Sequence, residues 1–127
     1  MRKVSRESAP QVYELPGFVG RYDEIGDFTA GFEVYSEDSD PAPLFKWLPN
    51  DHCQATHWGV VLKGTLVYRY EDGSEDMIEA GEAYVALPGH LPRFLAGTEI
   101  VEFSKTDEMA KTVEVVMRNL EAAQATG

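Results

Sequence analysis

The stretch Asp51–Leu95, DHCQATHWGVVLKGTLVYRYEDGSEDMIEAGEAYVALPGHLPRFL, decides the reading of this chain. Within it, Thr65–Tyr70 places Leu66, Tyr68 and Tyr70 in alternation with Thr65, Val67 and Arg69, the period of a strand with one face in a core. Glu75–Glu79 follows after Glu-Asp-Gly-Ser, and Asp72-Gly73 supplies the positive φ of a tight antiparallel connection. Gly64 marks the turn before this hairpin, and the Pro88-Gly89-His90 turn closes the stretch.

Outward from it, segments rich in β-branched and aromatic residues are punctuated by Gly, Pro and Asp at the spacing of a β-sandwich or barrel rather than βαβ units. Strands are predicted at Gly17–Tyr22, Thr29–Tyr35, Leu44–Leu48, Trp58–Leu62, Thr65–Tyr70, Glu75–Glu79, Ala83–Leu87, Arg93–Leu95 and Glu99–Phe103. The acidic run Ser36–Asp40, with Pro41 and Pro43 after it, reads as a solvated loop. Near the end the period changes. Asp107 can cap a helix, and Met109, Val113, Val116, Met117 and Leu120 recur at steps of three and four residues up to about Gln124. The expected organisation is an N-terminal arm over 1–11, one β-domain over 12–105, and a helix over 106–124 packed on that domain or at a dimer interface.

The 127 residues fit one core, and 43% hydrophobic with 26% charged residues places the chain among globular domains. A formal charge of −11 disfavours phosphate backbones and anionic lipid surfaces, so neither nucleic acid nor membrane is expected as a partner. Cys53 is the single cysteine, which rules out an intramolecular disulfide and suits a reducing cytoplasm; no export signal or anchor is read.

The segments VLKGTL at 61–66, Glu71-Asp72-Gly73 and AGEAYVALPGH at 80–90, with their spacing, resemble the two consecutive motifs of the cupin superfamily, in a C-x-x-x-H-W-G / P-G-H variant. The resemblance implies an all-β, double-stranded β-helix jelly-roll barrel with a C-terminal α-helix, and a homodimer. In that family three histidines and a glutamate hold a metal. Anchored on Gly64, His57 stands at the glutamate position, Cys53 at the second histidine position and Asp51 at the first; Pro92 stands where the last histidine would be.

The replacements are themselves metal-capable. A thiolate and two imidazoles, from Cys53, His57 and His90, are a softer donor set than three histidines and a carboxylate and favour zinc. Cys53 and His57 on one straight strand would lie about 13 Å apart, so a turn is required at Gln54–Thr56. Asp51, His52, Arg93 and Glu102 are further candidate ligands or pocket residues; an outward, solvated Glu102 and an Arg93 in a surface ion pair are the plainer readings of those two. Trp47, Trp58, Tyr84, Phe94 and Phe103 read mainly as core.

Two functions remain open. One is a small-molecule protein with a divalent metal, performing metal-assisted hydrolase, lyase or isomerase chemistry. The other is a metal-free ligand-binding or sensor protein whose histidines are structural.

Overall fold

The computed structural model describes Arg2 through Thr126, and nine strands and one α-helix order those residues. The strands are β1 (Gln11–Leu15), β2 (Phe18–Ile25), β3 (Phe28–Tyr35), β4 (His57–Lys63), β5 (Thr65–Tyr70), β6 (Glu75–Glu79), β7 (Ala83–Ala86), β8 (His90–Phe94) and β9 (Thr98–Lys105), followed by α1 (Thr106–Thr126). They form a six-stranded antiparallel sheet in the order β1-β2-β3-β9-β4-β7 and a three-stranded sheet in the order β6-β5-β8. Buried residues from both, among them Tyr35, Val61, Leu66, Tyr68, Phe94 and Ile100, make the core between them.

This corrects the expected jelly-roll barrel. Both sheets are open; the larger ends at β1 and β7 and the smaller at β6 and β8, and neither order returns on itself. The physical reason is visible at 41–56. The strand expected at Leu44–Leu48 is instead a 3-10 turn at Ala42–Phe45 followed by another at Pro49–Asp51. Pro41, Pro43 and Pro49 have no N–H to give a ladder. The outer edge of β8 therefore meets only isolated bridges, Ser39 to Phe94 and Cys53 to His90. A strand that the sequence pattern does not predict, β1, extends the opposite edge of the larger sheet by pairing with β2.

The hairpin read from Asp72-Gly73 joins β5 and β6, with Gly73 at φ 87° and the Asp72 carboxylate accepting from the Ser74 N–H at 2.9 Å. Of the aromatics expected in the core, Tyr84 and Phe94 pack there, whereas Trp47 is 74% exposed and Trp58 and Phe103 are also exposed. Trp58 and Phe103 pair with each other in register on the outward face of β4 and β9.

Helix α1 docks on the 42–45 turn and on β9. The Asn119 amide donates to the Leu44 and Lys46 carbonyls, both at 2.8 Å. The stripe expected for this helix is present at Met109, Val116, Met117 and Leu120, each half-buried, and fails at one position. Val113 is exposed, and Thr112, buried, faces inward in its place. No helix among the described residues is long and apolar enough to cross a membrane.

On the inward face of the larger sheet Gly20, Gly31 and Gly59 replace side chains with space. A Cβ on Gly59 would fall 2.6 Å from the Tyr84 hydroxyl and 2.7 Å from the Val101 carbonyl oxygen; on Gly31 it would fall 2.9 Å from the Tyr22 ring. Because the Val101 oxygen is backbone, Gly59→Ala cannot be absorbed by a rotamer change. It is expected to lower unfolding free energy by about 1–3 kcal/mol, read from urea midpoints.

Candidate metal centre

Three elements converge at one end of the two sheets. Cys53 lies in the segment before β4, His57 opens β4 in the larger sheet, and His90 opens β8 in the smaller one. Backbone bonds pin the segment to β8: the Cys53 N–H donates to the His90 carbonyl at 2.9 Å, and the Cys53 carbonyl accepts from the Gly89 N–H at 2.8 Å. Gly89, at φ 93°, makes this close approach without strain. The chain bends at Ala55 between Cys53 and His57, which brings the two side chains together as no straight strand could.

The ligand-capable atoms of Cys53, His57 and His90 all lie within 4.8 Å of one another, and all three residues are buried. The Cys53 Sγ to His57 Nε2 separation is 3.5 Å. Ligand atoms on a tetrahedral zinc sit roughly 3.3–3.6 Å apart, given its bond lengths, so this pair is already at that spacing.

The imidazole orientations follow from their other contacts. His90 Nδ1 is 2.5 Å from the Leu87 carbonyl oxygen, which only accepts, so the ring proton sits on Nδ1. Its Nε2 is then a bare lone pair, and it is buried without a hydrogen-bond partner. An orphaned buried acceptor beside a thiol and a second imidazole fits a cation. His57 Nδ1 faces the Ser104 hydroxyl at 2.6 Å and the Glu102 carboxylate at 3.0 Å, which leaves Nε2 toward Cys53. From α1, the Thr112 hydroxyl lies 3.6 Å from the Cys53 sulfur and covers the site.

The other candidates stand apart from this cluster. Asp51 is exposed and its carboxylate accepts from the Trp47 N–H, while the His52 ring bonds locally to the Asn50 carbonyl. Arg93 faces the opposite side of β8 from His90, and no ion pair to it is found among the described residues; its Nε is buried without a partner. Glu102 overturns its plainer reading. It points inward, 14% exposed, and accepts from the Tyr84 hydroxyl at 2.9 Å and more weakly from Tyr68 at 3.4 Å.

Sequence reasoning missed Glu33, whose carboxylate accepts from Tyr22 at 2.5 Å and from Tyr35 at 3.0 Å. Gly31 pairs with Glu102 across β3 and β9, so Glu33, two residues on, shares its face diagonally. The available signal was the alternation Gly31-Glu33-Tyr35 within a predicted strand. It also missed Ser104, Thr112 and Tyr68, which carry no motif of their own.

Burial governs the protonation of this interior. Desolvation raises the Glu33 and Glu102 carboxyls to about 7, and the charge of Glu102 raises Glu33 further. Desolvation also lowers His57 and His90 to about 4 and raises the Cys53 thiol. Tyr68 and Tyr84 also line a depression of about 350 Å³ between β6 and β7, rimmed by Glu75, Asp76 and Glu82.

The comparisons with known proteins concern the fold. No protein-family model matches the chain, and no curated protein matches it. Solved structures do. An RmlC-like cupin from Shewanella frigidimarina is 13% identical, with a TM-score of 0.57 over 84% of this chain and 93% of that one. The polyketide cyclase RemF from Streptomyces resistomycificus is 15% identical, with a TM-score of 0.57 over 82% of this chain and 78% of that one. A protein of unknown function from Rhizobium leguminosarum is 18% identical, with a TM-score of 0.55 over 82% and 94%. The class these similarities define is a cupin-like fold.

The pKa shifts predict a particular pH response of the metal-free protein. A carboxyl raised on folding gives stability that is full below its unfolded value near 4.5 and is lost as pH rises through about 7. A histidine lowered on folding gives stability that is full above 6.5 and is lost as pH falls through about 4. Between pH 4.5 and 6.5 the two pairs have opposite slopes and offset each other. Glu33→Gln removes one carboxyl, so its urea midpoint, with chelator present, should rise from pH 4.5 to 6.5 more steeply than the wild type's. Parallel profiles would show that Glu33 is not held neutral.

Proposed function

We propose that the protein binds a divalent metal, with zinc favoured, through Cys53 Sγ, His57 Nε2 and His90 Nε2, and binds a small molecule beside it. The observation that carries this reading is the orphaned, buried Nε2 of His90 in a cluster whose three ligand atoms lie within 4.8 Å. One thiolate with two imidazoles matches zinc better than magnesium, calcium or manganese, which prefer oxygen. Three protein ligands leave a fourth position, where zinc supplies Lewis-acid chemistry when bound. That arrangement supports metal-assisted hydrolysis, elimination or isomerisation. The carboxylates around the β6–β7 depression favour a neutral or cationic ligand over a phosphorylated one.

One observation favours the metal-free reading. The raised Cys53 thiol can donate its proton to His57 Nε2 at 3.5 Å, which satisfies that pair without a cation. A ligand-binding or sensor protein would be built this way.

Elemental analysis of tag-free protein, purified without added metal or chelator, separates the two. Near-stoichiometric zinc is expected in the wild type and background levels in folded Cys53→Ser and His57→Ala. Wild-type protein that carries no metal and takes up none when offered zinc, nickel, manganese or iron would contradict the metal reading. Ligand-dependent melting shifts without metal dependence would then support the sensor.

A further inference from the structure

The three ligands do not explain why a carboxylate is buried beside them. Glu102 lies on β9 with one oxygen 3.0 Å from His57 Nδ1 and the other accepting from the Tyr84 hydroxyl at 2.9 Å. We propose that Glu102 is a positioning residue: held by Tyr84, its carboxylate keeps the His57 proton on Nδ1 and so turns Nε2 to the metal. The β6–β7 depression is thereby linked to the metal centre through Tyr84, Glu102 and His57.

Ser104 contacts the same nitrogen at 2.6 Å, but a hydroxyl both donates and accepts and so does not fix a tautomer. The Glu102 oxygen that faces Nδ1 offers an acceptor there, while its other oxygen accepts from Tyr84, and this placement favours the Nδ1–H form. The sequence of β4 is fitted to this arrangement. Gly59 stands in register with both Glu102 and Tyr84, and a Cβ there would displace the Tyr84 hydroxyl that holds the carboxylate. A glycine inside a central strand otherwise weakens it. Tyr84 also lines the depression, so a small molecule seated there touches the residue that holds Glu102.

The affinity part of this inference rests on the metal reading; the tautomer part does not. Long-range 15N–1H spectra of the His57 ring in metal-free protein at pH 8, and cobalt affinity by competition, test both on the full chain. The wild type should show a single Nδ1–H tautomer. Glu102→Leu should show a mixture of tautomers and an about 10–100-fold loss of cobalt affinity. Glu102→Gln, whose amide oxygen still accepts, should keep the tautomer and most of the affinity. Tyr84→Phe, which deletes one oxygen, should lose affinity several-fold and carries the test if Glu102→Leu does not fold.

A wild-type tautomer in folded Glu102→Leu, or an unchanged tautomer and affinity in Tyr84→Phe where that variant carries the test, overturns the proposal. Wild-type protein that binds no cobalt but loses its tautomer in Glu102→Leu retains the positioning role while the metal reading fails.

Discussion

Two carboxylates and two imidazoles face the space between the sheets, and among the described residues no Arg or Lys hydrogen-bonds or ion-pairs with either carboxylate. An unpaired polar group buried this way costs several kcal/mol, so the rest of the interior is arranged to satisfy these four. Tyr22 and Tyr35 serve Glu33, Tyr84 and Tyr68 serve Glu102, and Ser104 serves His57, with a Glu102 oxygen 3.0 Å from the same nitrogen. The tyrosines need room over the larger sheet, and the glycines at 20, 31 and 59 provide it. What is left unsatisfied is His90 Nε2, at the place where a cation would complete the set.

The position of that site follows from the way the sheets end. Because β8 is bridged singly to Cys53 rather than paired with a further strand, the segment 49–56 is free to bend and bring its thiol under His57. Helix α1 then covers the thiol with Thr112, and its Asn119 ties the helix to the loop that precedes the cysteine. An interruption in the sheet and an inward threonine on the helix thus both serve the same end of the molecule.

Much of this was legible in the residues. Alternation and Asp72-Gly73 define β5 and β6 to the residue, because turn chemistry and a half-buried face are local properties. Motif spacing singled out Cys53 and His57, and donor chemistry added His90, two residues from the position that Pro92 fills; the fold brings the three together. That the sheets stay open was not legible, because closure depends on pairing between distant edges, and the apolar content of Leu44–Leu48 concealed the prolines around it. Strand β1 escaped because Gln11 and Glu14 interrupt its pattern at an exposed edge. Glu102 was placed outward because alternation defines two faces without saying which is covered; only Gly31 and Gly59 beside it, both small and both in register, hinted at an inward face.

The proposed metal centre depends on this thiol and these imidazoles meeting at one ion. Anomalous diffraction at the zinc edge, from crystals grown with zinc, tests it most directly. A single anomalous peak is expected about 2.3 Å from Cys53 Sγ and about 2.0–2.1 Å from Nε2 of His57 and His90. No peak there at saturating zinc, with the Cys53–His57 hydrogen bond intact, would contradict it.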